Sequence, residues 1–210
     1  MLVNNTKLYL KSFLIDFSEA DNGMKLSKNM KNPENKFLGK DVIYTPEKGH
    51  PREFSRYKQT GDAVQDIQTF LQLQQRYRIG RIVEVYKSVA QGTNEPIYTA
   101  VLEIDTQKGK NLYKHGLLPK FVSPSIYQTK GEGWNDIQDF EALHLALVNS
   151  PSYNYRKARV TASCQNTPKI CIKRLAQAST TNNTPVKKKK RSKLEEINRV
   201  LEFTGINDRR

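Results

Sequence analysis

Apolar and polar residues alternate in short runs along most of the chain, the period of half-buried strands. Residues 6–17 (TKLYLKSFLIDF) combine that alternation with β-branched and aromatic side chains and predict a first strand. Residues 18–36, rich in Asn, Lys and Ser, predict a long mobile loop. A second strand is predicted over 40–45 (KDVIYT), running into a turn at Pro46-Glu47-Lys48-Gly49 and then His50-Pro51. Asp62 can cap a helix in which Val64, Ile67, Phe70, Leu71 and Tyr77 recur at near-helical spacing, until Gly80 interrupts it. Alternation returns in 79–89 (IGRIVEVYKSV) and 96–105 (PIYTAVLEID), and the polar AQGTNE between them predicts a hairpin. Residues 106–116 read as a short helix ending at Gly116. Strands are predicted at 120–128, at 136–149 (DIQDFEALHLALVN, the cleanest of all) and at 157–163.

About seven strands with two or three helices that do not alternate regularly predict an α+β fold. The expectation is a mainly antiparallel sheet or closed β-barrel with helices packed outside. Periodicity does not separate a barrel from a sandwich.

After residue 178 the composition changes. The body is read as 1–178, a polar then basic linker as 179–193, and a short amphipathic tail helix as 194–210. In the tail Leu194, Ile197, Leu201 and Val200 fall near one face, and a helix of this length forms on a partner more readily than alone. Hydrophobic residues make up 37% of the 210, enough for a core over part of the chain but not all of it. The formal net charge is +14, of which +5 lies in residues 179–210. Basic body and basic tail both favour anionic partners, whether nucleic acid or an acidic protein.

Two cysteines, Cys164 and Cys171, with no paired Cys/His set, exclude a recognisable zinc site. A disulfide between them is geometrically possible, but two reduced thiols are the default reading. No Gly-rich phosphate loop and no carboxylate cluster at metal spacing is present, so no cofactor or metal is implied. The first residues lack the basic and long apolar regions of a signal peptide, and no run is apolar enough to span a membrane. The expectation is a soluble protein made in a cytosol.

Three histidines exist: His50, His115 and His144. His50 follows a Gly-containing turn, in KGHPREF, and His144 is in the middle of FEALHLALV. A lone strand histidine is most often a hydrogen-bonded core or surface residue, and a serine in a strand is equally unremarkable. Their order is more informative. Nucleophilic serine catalysis needs a hydroxyl, a base to take its proton and a group that orients the base, and a second histidine can orient the first. His115, in YKHGLLP, lies at a predicted helix end, where an imidazole can meet the C-terminal dipole, and is given no catalytic part.

The runs LLPKFVSPSIY and GWNDIQDFEALHLALVNSPSY, together with IGRIVEVY, resemble the core of tailed-phage prohead proteases, which are related in fold to herpesvirus assemblins. The resemblance covers 40–163. It implies a barrel of the assemblin kind and a Ser-His-His triad. His50 precedes Ser123 by 73 residues, and His144 follows it by 21. Ser123 would be the nucleophile, His50 the general base, and His144 the group that bonds the other nitrogen of His50. Backbone N–H groups, with Arg156 or Arg159, would support the oxyanion; in a basic chain either arginine is as readily ordinary surface charge. Many relatives carry Gly two residues after the nucleophile. Ser125 stands there in this chain and is a rival nucleophile, on the same face of the strand as Ser123.

The resemblance implies an endopeptidase that cuts the scaffold protein, the major capsid protein and its own ends inside the immature capsid, in the host cytoplasm. It also suggests a homodimer. The alternative readings are a non-catalytic virion protein of the same fold, or a basic DNA-associated structural protein. For the last, Lys187, Lys188, Lys189, Lys190 and Arg191 would make non-specific contacts to DNA.

Overall fold

A computed structural model describes residues 7–45, 49–89, 96–151, 157–166, 171 and 173–175. All of them belong to one unit, Met1–Thr180. The predicted linker and tail helix, with Lys187, Lys188, Lys189, Lys190 and Arg191, lie outside the described residues.

Seven strands form one sheet: β1 (Lys7–Ile15), β2 (Asp41–Tyr44), β3 (Arg78–Val89), β4 (Pro96–Ile104), β5 (Phe121–Gly131), β6 (Ile137–Val148) and β7 (Val160–Asn166). Their order is β5-β6-β2-β3-β4-β1-β7. Every pairing is antiparallel except β2–β6, so the sheet is mixed and the fold is α+β with strands dominant. Among the described residues the helices long enough to name are α1 (Arg52–Arg56), α2 (Ala63–Gln74), α3 (Gln107–Lys114) and two short 3-10 turns.

The closed barrel is not what is found. β7 runs its length along β1, from Lys7 paired with Asn166 to Ser12 paired with Val160. Beside β5 the described residues form a single bridge, between Phe121 and Arg159, the residue just before β7. Two backbone bonds flank that bridge, Val122 N–H to Ala158 O and Val160 N–H to Lys120 O. The two end strands therefore touch at a short seam instead of sharing a ladder.

One face of the sheet carries the main core, with Phe13, Leu14, Val42, Ile79, Leu102, Val122, Phe140 and Leu145 among its buried members. Each large side chain of this kind contributes about 1.5–3 kcal/mol on burial. The predicted mobile loop at 18–36 is part of this core: Ala20, Met24 and Leu26 are buried, and Leu26 bridges Ile137 of β6. Three apolar residues spaced among polar ones hold it down, a pattern too sparse to read as a strand or helix. A 3-10 turn, Pro33–Phe37, follows and buries Phe37 against Phe140.

Bulges in β6 decide which side chains change face. Its register with β5 shifts between Ser125 and Ile126, where Leu143 is passed over. Ala142 and Leu145 both reach the main core as a result, while His144, Ala146 and Val148 turn to the other face. That face is covered by α1 and α2. Asp62 caps α2 as expected, its carboxylate accepting from the N–H groups of Val64 and Gln65. α3 ends at Lys114 and is followed by Gly116, whose φ of 67° suits the residue after a helix C-cap, and His115 Nδ1 donates to Asn111 O there at 2.8 Å. Val64, counted on the apolar face of α2, is 66% exposed.

Cys164 and Cys171 are joined by a disulfide, with Cα atoms 5.5 Å apart, against the expectation of reduced thiols. That separation is within bridging range. Cys171 and Leu175 pack with Tyr9 and Val101 on the face of β1 and β4 away from the main core, so side-chain packing brings the pair together, which spacing alone did not show.

Gly80 marks a close approach of backbone to backbone: a Cβ there would overlap the carbonyl oxygen of Glu103 on β4. Gly80→Ala is expected to lower unfolding free energy by about 2–3 kcal/mol, the cost of overpacking with no flexible side chain to yield. Equilibrium denaturation in urea reads this directly; an unchanged midpoint would show that β3 and β4 can part locally.

Candidate active site

The face of β2, β5 and β6 turned away from the main core carries the chemistry. Ser123 is opposite Ala146 and Ser125 is opposite His144 in the β5–β6 ladder. Asp41 is beside His144 in the parallel β2–β6 ladder. Ile43, Ala146 and Val148 form a buried apolar patch around these groups, with Phe54, Tyr77 and Phe121 packed against it.

His50 reaches the same face from the turn after β2. Thr45, at the end of that strand, donates its hydroxyl to Gly49 O at 3.0 Å and ties the two ends of the turn together. Pro51 then restricts His50 to extended backbone and starts α1. Three residues on, Phe54 lies against His144 with ring centroids 5.2 Å apart and meets Phe70 of α2 edge to face.

His50 Nε2 is 3.0 Å from Ser123 Oγ. His50 Nδ1 is 3.0 Å from His144 Nε2. The three residues singled out in the sequence are thus in one hydrogen-bonded row. His144 Nδ1 continues it, 3.0 Å from Gln74 Oε1, and Gln74 Nε2 donates to Asp41 Oδ2 at 3.1 Å. Asp41 also accepts from Gln75 Nε2 at 3.0 Å and from Arg78 Nε at 3.0 Å. Arg78 in turn forms a two-pronged pair with Asp105.

His144 is fully buried, and burial first, then the neighbouring His50, holds its pKa well below the usual value. Burial lowers His50 to about 4. Both rings are therefore neutral at physiological pH, and a neutral imidazole has one donor and one acceptor nitrogen. Ser123 is 1% exposed, while Ser125 is only partly buried. Of the two hydroxyls, Ser123 is the one in contact with His50.

Arg159 is on the Ser123 side of the seam, its guanidinium 6.0 Å from the ring centre of Phe121. It stacks there and is exposed to solvent. Arg156 lies outside the described residues. His115, on the turn that ends α3, belongs to none of this.

Gln74 and Asp41 escaped sequence reading. Their only signal was indirect: a glutamine on a helical face otherwise turned to the sheet, and an aspartate at the head of a strand. Asp66 escaped it too. Buried on α2, it accepts bonds from Tyr57 OH, Thr60 N–H, Thr60 OH and Tyr127 OH at 2.8 to 3.1 Å. Burial works to raise its pKa, but those donors outweigh it and bring it to about 2. This carboxylate fastens the segment after α1 to α2 and to β5, two residues beyond Ser125.

Among the described residues no group of three or more His, Cys, Asp or Glu could hold a metal ion, and no helix is long and apolar enough to cross a membrane. Comparison with protein-family models, with curated proteins and with solved structures finds no match.

Two outcomes follow from the titrating groups. The histidines fold neutral and unfold with an ordinary pKa near 6.5, so their contribution is complete above that pH and is lost as pH falls through about 4 for His50. Each should steepen the loss of stability by about 1.4 kcal/mol per pH unit within its window. His50→Gln should flatten the curve between pH 6.5 and 4, as read by denaturant titration. Asp66→Asn should lower the thermal midpoint at pH 7, because four donors lose an anionic acceptor; the gap from wild type should close as pH falls below 4 towards 2.

Proposed function

We propose that the chain is a serine endopeptidase that matures a phage capsid, cutting scaffold protein, capsid protein and its own ends inside the immature shell. One observation carries the chemistry: Ser123 Oγ, His50 and His144 in a continuous row with both links at 3.0 Å. The substrate class rests on the resemblance of 40–163 to prohead proteases.

The steps follow from the row. Ser123 Oγ forms a bond to the scissile carbonyl carbon while its proton passes to His50 Nε2. His50 becomes an imidazolium whose Nδ1–H is held by His144. The C–N bond then breaks and His50 returns the proton to the leaving amine. Water, deprotonated by the same ring, hydrolyses the acyl-serine. His144 stays neutral throughout, so it orients His50 and stabilises the imidazolium less than a carboxylate would. Backbone N–H groups support the oxyanion, and Arg159 or Arg156, which follow the His144 strand, are the side chains that would assist.

Ser123 is nearly inaccessible in this conformation, so a substrate carbonyl must displace covering chain to reach it. Such an enzyme is quiet until it is packed against substrate at high local concentration. The basic tail would retain it on an anionic scaffold, and self-cleavage within 179–186 would release the body.

Co-expression with the scaffold and capsid proteins of its virus tests the reading by intact mass. Wild type should yield trimmed products, and Ser123→Ala should reduce trimming by about 10³-fold or more. Trimming by both variants alike would transfer the role to Ser125; trimming by neither would leave a non-catalytic virion protein. A second test is the pH dependence of cleavage. Activity requires neutral His50, so the acid limb of kcat/KM should fall near pH 4 and not near 6.5. A limb at 6.5 would mean that His50 is not the base.

A further inference from the structure

We infer that Gln74 and Asp41 are positioning residues that set the direction of every proton in the Ser123–His50–His144 row, an inference that takes the hydrolytic reading above as its frame. The direction is fixed from the far end. Asp41 is an ion-paired carboxylate and can only accept. Gln74 bridges Asp41 and His144, and its amide has two possible orientations. With the oxygen towards Asp41, two acceptors would face each other at hydrogen-bond distance inside the protein, a costly arrangement. The NH2 group therefore faces Asp41, and the carbonyl oxygen faces His144 Nδ1.

That carbonyl can only accept, so the His144 proton is on Nδ1 and its Nε2 is bare. A bare Nε2 accepts from His50 Nδ1–H. His50 then presents a bare Nε2 to the Ser123 hydroxyl, the form a general base requires. All four bonds, from Ser123 to Asp41, run in one chain of donor to acceptor. Were the Gln74 amide reversed, each bond made by the two rings would reverse with it. His50 would carry its proton on Nε2, facing Ser123, and could not take another. One buried amide thus separates an armed row from a blocked one, and Asp41, held by Arg78 and Gln75, decides which is populated.

The test uses full-length protein with ¹⁵N-labelled histidine. Long-range ¹H–¹⁵N correlation spectra assign the tautomer of each ring, with His115 as an internal reference. In wild type both His50 and His144 should be Nδ1–H tautomers. Gln74→Leu removes the acceptor at similar volume and should bring an Nε2–H population into both rings. A fluorophosphonate probe should label Ser123 about 10- to 100-fold more slowly, the usual cost of removing an orienting partner. The loss should fall on the rate at saturation and not on probe binding. Asp41→Asn, the second variant, frees the Gln74 amide to turn and should give mixed tautomers. Asp41→Asn combined with Gln74→Glu reverses the bond between positions 41 and 74, the amide at 41 donating to the carboxylate at 74, but keeps at position 74 a group that can only accept from His144 Nδ1. This pair should restore labelling relative to Gln74→Leu.

Nε2–H at either ring in wild type would overturn the inference, as would tautomers and labelling rates that ignore both single variants. If the tautomers move as stated while wild type neither labels nor cuts, the positioning role stands and the hydrolytic reading falls. If wild type labels and cuts while the tautomers stay fixed, the reverse holds.

Discussion

His144 is fully enclosed, and a buried imidazole must find a partner for each of its two nitrogens or lose the free energy of two water contacts. The local architecture follows from that constraint. One nitrogen is satisfied by His50, the other by Gln74, and those two groups come from different parts of the chain: the turn after β2 and the last residue of α2. Neither the turn nor the helix could shift along the sheet without stranding a nitrogen. The parallel register of β2 and β6 places Asp41 beside His144, and this gives the Gln74 amide a second anchor.

The surrounding apolar groups serve the same end. Phe54, Ile43, Ala146 and Val148 exclude water from the row, which strengthens its hydrogen bonds and keeps both rings neutral. Asp66 fastens the outside of this lid. Its four donors come from the segment trailing α1 and from β5, so hydrogen bonds tie the strand with both serines to the helix with Gln74. Stability and proton placement are coupled here because the same helix, α2, supplies Asp66 and Gln74.

The sequence was most legible where a signal is local. Alternation and β-branched or aromatic composition located the seven described strands, including the β3–β4 hairpin, even though β1, β4 and β6 are buried on both faces over much of their length. Asp62 announced α2 by its capping chemistry. The histidine–serine–histidine order marked three residues that the structure does bring into contact. What stayed hidden depends on long-range geometry. The bulge at Leu143 moves His144 off the core face, and nothing in FEALHLALV announces it. The parallel β2–β6 pairing leaves no trace in composition, and with it went any view of Asp41. Residues 18–36 looked solvated because their polar majority conceals Met24 and Leu26. The disulfide was undecidable from spacing, since packing of Cys171 beside Tyr9 is a tertiary fact.

A neutral orienting group changes what the row can accomplish on the proposed reading. An aspartate in place of His144 would hold the His50 imidazolium by full charge, whereas a second imidazole holds it only by dipole and hydrogen bond. The low dielectric around His144 raises the worth of that bond but also penalises the charged form of His50, whose pKa is already depressed to about 4. Such a base is reliably deprotonated and weakly basic. It suits a reaction performed a few times per molecule on substrate held at high local concentration, and would be a poor choice for rapid turnover in dilute solution. Under those terms the direction of the protons matters more than the strength of any one base, and the distant carboxylate at Asp41 is what supplies it.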